Sequence, residues 1–157
     1  MKPDLTAAKK DTKNFNKGQF LGNYQVTDNP KLDIKRGARI KRTNDAVKLA
    51  RIIADQEQEF VVVFSLKQSL EVTNARIICI GGRNSASFCP ANVFKGCIID
   101  GGSEMIIVHN HPSGDIRPSK QDKKTLKRFA KAGKLLDINI LDSVIVSGKR
   151  WKSMMEG

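Results

Sequence analysis

The chain has 157 residues, 39% of them apolar and 28% charged, with a formal net charge of +12. That length suits one domain around a single core, and that composition excludes a disordered polyelectrolyte and matches an ordinary soluble globular protein. No apolar run nears the roughly 20 residues that a membrane helix needs, the longest being Phe60–Phe64 and Met105–Val108.

The N-terminus, with Lys2, Pro3 and Asp4, lacks the apolar stretch of a secretory signal, so a cytoplasmic protein with no membrane partner is expected. Residues 1–40 form a basic arm, rich in Lys, Asn, Asp and Gly, with scattered Phe15, Phe20, Leu21 and Tyr24 and partial order expected. Residues 41–157 form the domain. Its first helix is predicted from Thr43, read as an N-cap, because Ala46, Leu49, Ala50 and Ile53 recur at helical spacing. Phe60–Leu66 and Arg76–Ile80 are β-branched and aromatic runs of strand length, and Gly81-Gly82 breaks the second. Pro90 can open a helix that runs to about Ile99 and ends at Gly101-Gly102. Met105–Val108 is a short buried strand that feeds into His109, and a loop with Pro112, Gly114 and Pro118 follows. A helix then runs from Ser119 to about Lys134, and Ile138–Val146 is the last long strand. Alternating strands and helices around one core predict an α/β (α+β) sandwich, a mixed β-sheet flanked by helices.

Three cysteines, Cys79, Cys89 and Cys97, fit no Cys-x-x-Cys metal clip, and Cys79 and Cys97 lie in apolar stretches where a thiol packs as a small hydrophobe. The positive excess is spread along the chain: residues 1–45 hold 11 Lys+Arg against 5 Asp+Glu, and residues 46–157 hold 17 against 11. Such a surplus favours polyanionic partners, or serves solubility alone.

The two histidines of the chain, His109 and His111, stand one residue apart at the end of an apolar strand. Residues i and i+2 of a strand point to the same face, so both imidazoles can converge on one ion. Asp122 follows beyond the turn, in the first turn of the next helix. Two imidazoles and a carboxylate around an open position are the plan of a catalytic zinc site. The helix wheel supports an inward Asp122. Lys120, Lys123, Lys124, Lys127, Arg128, Lys131 and Lys134 fall within an arc of about 140°, and Asp122 lies opposite, between Leu126 and Phe129. A second reading needs no metal: Ser119-x-x-Asp122 is also a capping pattern with an acid in the first turn.

The run His109-Asn-His-Pro-Ser-Gly-Asp-Ile-Arg-Pro-Ser119-Lys-Gln-Asp122 closely resembles the signature of the RadC-like branch of the JAB/MPN+ (JAMM) metalloproteases. The resemblance extends from about Lys41 to the C-terminus and includes Glu59-Phe60, Gly81-Gly82 and Asp137-Ile138. It implies a mixed sheet flanked by helices, with layering similar to cytidine deaminases. It implies one zinc ion per chain on His109, His111 and Asp122, with Ser119 donating to a developing oxyanion. It also implies Glu59 as the base, although Glu57 stands two residues away; the helix-to-strand junction and Phe60 favour Glu59. The chain resembles a short single-domain form associated with mobile elements, without the N-terminal helix-hairpin-helix-like domain. Where the family commonly reads Leu-Asp-His, this chain has Leu141-Asp142-Ser143.

The expected activity is metal-assisted hydrolysis of an amide bond in a peptide or protein substrate, in a DNA-repair or mobile-element context. Two other readings remain. One is a DNA-associated nuclease or repair factor that uses the same site, with the Lys120–Lys134 face and the basic arm on DNA or another polyanion. The other is a non-catalytic binding module.

Overall fold

A computed structural model describes residues 32, 34, 35, 37–79 and 88–155. The aromatic residues of the basic arm, the Gly81-Gly82 break, Ile80 and the Cys79 side chain lie outside the described residues.

The elements run α1 (Thr43–Leu49), a 3-10 turn (Arg51–Ile53), β1 (Phe60–Leu66), β2 (Val72–Cys79), α2 (Pro90–Ile99), β3 (Glu104–Asn110), α3 (Lys120–Leu135), β4 (Asn139–Ser147) and β5 (Arg150–Ser153). The sheet order is β2-β1-β3-β4-β5. Among the described residues, only β3 and β4 pair in parallel, with α3 as their crossover; the other neighbours are antiparallel. This is the mixed, helix-flanked sheet that the sequence predicts.

All seven residues of β1 are buried, because helices cover both faces of the sheet at its centre. The period of two then sorts the strand between two cores. Phe60, Val62, Phe64 and Leu66 pack with Ala46, Val47, Ala50 and Ile53 from the first helical segment. Val61 and Val63 pack on the opposite side with Val93, Phe94 and Phe129 from α2 and α3. There Phe129 meets Phe88 and Phe94 edge to face, at centroid distances of 4.9 and 6.4 Å. Burying a side chain of this size contributes about 1.5–3 kcal/mol. Gly133 lets α3 turn closely into β4, since a Cβ there would stand 2.5 Å from the Ile138 carbonyl oxygen.

Several boundaries differ from expectation. Thr43 is not the cap of α1. Arg42 holds that place, and the Asp45 carboxylate accepts from the Lys41 and Arg42 amides at 3.0 Å each. The Thr43 hydroxyl is committed elsewhere, donating to buried Asp142 at 2.6 Å. The second strand starts four residues before Arg76, because its half-buried polar residues pair with β1 despite lacking an apolar run. β3 extends through Asn110, so His109 lies within a strand rather than after one. Strand β5 has no counterpart in the sequence reading, since Arg-Trp-Lys-Ser offers one apolar residue in four. Cys97 is fully buried and Cys89 half-buried, both as free thiols.

Candidate metal centre

Strand β3 lies between β1 and β4, and its C-terminal end carries the histidines. His109 pairs across to Val61 on one side and Ile145 on the other. His111 follows the strand, anchored by its amide to the Val146 carbonyl at 3.1 Å. A turn with Gly114 in the left-handed region (φ 83°) reverses the chain toward α3. Arg150 of β5 fixes that turn by donating to the Gly114 carbonyl at 2.5 Å.

Ser119 caps α3, and the capping pattern of Ser119-x-x-Asp122 is present. The Ser119 hydroxyl accepts from the Asp122 amide at 3.0 Å, and the Asp122 carboxylate accepts from the Ser119 amide at 2.7 Å. The same carboxylate faces both imidazoles. Its Oδ1 lies 3.4 Å from His109 Nε2, and its Oδ2 lies 3.4 Å from His111 Nε2. Capping places Asp122 at the helix start, and the histidines meet it there.

The two Nε2 atoms stand 3.2 Å apart. His111 Nδ1 lies 2.6 Å from the Asp115 carbonyl, to which it donates, which leaves Nε2 as the bare nitrogen that points into the site. Asp115 is itself held by Arg117 at 2.7 Å, which draws its carboxyl down to about 2. Burial alone would raise the Asp122 carboxyl. Hydrogen bonds with His109 and with the Ser119 side chain and backbone outweigh that, holding it well below the usual carboxylate range.

Glu59 completes the group. One ligand atom from each of Glu59, His109, His111 and Asp122 lies within 4.8 Å of the others. Glu57 is exposed and stands outside that group. The residue that brings Glu59 here was missed from sequence. Asn110, fully buried between the histidines on the opposite face of β3, accepts from the Phe60 amide at 2.6 Å. It also donates to the Gln56 and Gln58 carbonyls at 3.2 and 2.9 Å. One side chain thus fastens both flanks of Glu59 to the histidine strand. The only sequence signal was its position between two candidate ligands.

Electron-rich atoms this close repel unless a cation, metal or proton, lies among them. Ligands about 2.0–2.2 Å from a tetrahedral zinc ion stand about 3.3–3.6 Å apart. The separations of 3.2, 3.4 and 3.4 Å match that edge length, and nitrogen–carboxylate donors suit zinc. The residues present therefore fit a divalent ion. Beside them lies a recess of about 20 Å³, room for one water, lined in part by His109, Asp122, Ser143 and Met154.

The seven cations of α3 are all exposed. Among the described residues, no helix is long and apolar enough to cross a membrane.

The family profile of the RadC-like JAB domain matches residues 40–157. The chain belongs to the RadC-like JAB domain family. Relatives of this RadC-like chain include a UPF0758 protein of Staphylococcus carnosus, 38% identical over 130 residues that cover 82% of this chain and 56% of the relative. A UPF0758 protein of Chlorobium chlorochromatii is 38% identical over 104 residues, 66% of this chain and 47% of the relative. One from Methanosarcina acetivorans is 32% identical over 102 residues, covering 65% and 44%. The chain spans about half the length of these curated relatives, and their names give no activity.

Proposed function

We propose that this RadC-like domain is a zinc-dependent hydrolase of amide bonds, peptide or isopeptide. One observation carries the reading: the convergence of His109, His111, Asp122 and Glu59 at spacings that suit a single ion. His109, His111 and Asp122 would hold the metal. When bound, a zinc ion polarises an acyl oxygen and makes water a nucleophile near neutral pH.

The remaining steps belong to the chain. Glu59, half-buried and pinned by Asn110, holds a water, takes its proton during attack and returns it to the leaving amine. The Ser119 hydroxyl, which accepts from the Asp122 amide, would turn its hydrogen from the Asp122 carboxylate to the developing oxyanion. The Asp115 carbonyl keeps His111 in the tautomer whose Nε2 faces inward.

Metal content of the purified protein tests this reading. About one zinc per chain is expected, lost in a His109→Ala/His111→Ala variant; a wild type that takes up no zinc even from excess would overturn it. Glu59→Gln should retain the ion yet slow hydrolysis of a peptide library about 10²–10⁴-fold, whereas Glu57→Gln should change it less than about twofold. Cleavage of an oligonucleotide with the same Glu59 dependence would replace the amide with a phosphodiester.

A further inference from the structure

Beside the candidate metal centre runs an open groove of about 570 Å³. One wall is a lysine stripe on α3: Lys120, Lys123, Lys124 and Lys127, at i, i+3, i+4 and i+7. The floor is apolar, formed by Pro118, Leu126 and Met154. Leu126 and Met154 also line the recess beside His109 and Asp122, so groove and site share a wall.

The four lysines are exposed, and none has an acidic partner among the described residues. The one acid of α3, Asp122, is turned into the metal centre. Four cations over about 10 Å of helix therefore lack internal compensation, and their mutual repulsion falls when an anionic chain lies along them.

We propose that this groove holds an acidic segment of the peptide substrate next to the bond that is cut; the inference rests on the amide-hydrolase reading. Three features favour a peptide over a nucleic acid. An extended peptide places successive side chains on opposite sides, so carboxylates can meet the lysines while apolar residues lie on the floor. A sugar–phosphate chain gains little from an apolar floor. Among the described residues, no aromatic ring lines the groove for base stacking, and no arginine lines it for bidentate phosphate contacts.

Fluorescence anisotropy on the full chain tests the proposal, with three labelled probes: a Glu-Leu repeat peptide, its Gln-Leu counterpart and an oligothymidylate. The variants are Lys123→Glu/Lys124→Glu/Lys127→Glu and His111→Ala, and zinc content is measured on every sample. The expected result is tighter binding of the Glu-Leu peptide than of the Gln-Leu peptide, weakening with salt and lost by at least about tenfold in the lysine variant. His111→Ala should lose zinc and retain that preference. No preference for Glu over Gln, or a preference that survives in the lysine variant, would overturn the proposal. So would oligothymidylate binding that the lysine variant abolishes, since the groove would then belong to nucleic acid. Because zinc is read separately, a failed groove leaves the metal centre standing, and a failed metal centre shows in the wild-type zinc content.

Discussion

Two aspartates of this domain hold similar places and have opposite surroundings. Asp142 is buried on the α1 side of the sheet and accepts from three donors: the Thr43 hydroxyl at 2.6 Å, the Ser143 amide at 2.7 Å and the Ser153 hydroxyl at 2.7 Å. Asp122, on the α3 side, accepts from the Ser119 amide at 2.7 Å, and both imidazole nitrogens stand at 3.4 Å. The first carboxylate is satisfied by the fold. The second is surrounded by groups that also want a cation. A buried acid that the fold satisfies with hydroxyl and amide donors holds the structure together, while one set against two imidazole nitrogens marks a candidate ligand site.

Removing each carboxylate should break different properties. Asp122→Asn should lower zinc affinity at least about 100-fold while the amide oxygen still caps α3, so apo stability should fall by no more than about 1–2 kcal/mol. Asp142→Ala should behave in the opposite way. It leaves two hydroxyls and an amide without their acceptor, which should cost about 2–4 kcal/mol in urea denaturation and leave zinc stoichiometry intact. If Asp142→Ala also lost the metal, the two clusters would be coupled through β4 and the contrast would fail.

Asn110 sharpens the comparison because it lies on the Asp142 side of the sheet yet serves the other side. Its contacts with Gln56, Gln58 and Phe60 stay within the fold, but their product is the position of Glu59. Asn110→Ala should orphan the Phe60 amide and cost about 1–3 kcal/mol. At a temperature where the variant is folded, zinc content should be unchanged while kcat falls at least about tenfold. A merely structural role would leave kcat unchanged under those conditions.

The clustering of the candidate ligands was legible because strand periodicity and helix periodicity each point at one spot: His109 and His111 share a face, and Asp122 opposes the lysines on the helix wheel. Fold class was legible for a related reason, since β1, β3 and β4 are apolar runs with unambiguous length. Asn110 was not, because its partners are main-chain atoms of residues some fifty positions earlier, brought close only by antiparallel pairing of β1 with β3. Strand β5 escaped because an edge strand of polar residues follows no burial pattern, although Arg150 secures the histidine loop. Thr43 misled because a hydroxyl at a helix start suits a cap, and no local pattern announces a partner 99 residues away.

The smallest expected effect is at Ser143, which sits where the family commonly carries His and lines the recess beside His109. Its hydroxyl donates to the Met154 sulfur at 3.6 Å, a weak acceptor, while the backbone bond from the Met154 amide to the Ser143 carbonyl at 2.8 Å joins the same two residues. The main chain therefore keeps this corner in place, and the side chain adds little. Ser143→Ala should change stability by less than about 1 kcal/mol and leave both zinc content and peptide hydrolysis close to wild type. A roughly tenfold loss of kcat/KM with zinc retained would instead mean that the hydroxyl reaches substrate through the recess, a transition-state contact of about 1.4 kcal/mol. The Asp122 side of the sheet would then contain a substrate contact as well as the proposed metal ligands, and Ser143 would belong with Asp122 rather than with its neighbour Asp142.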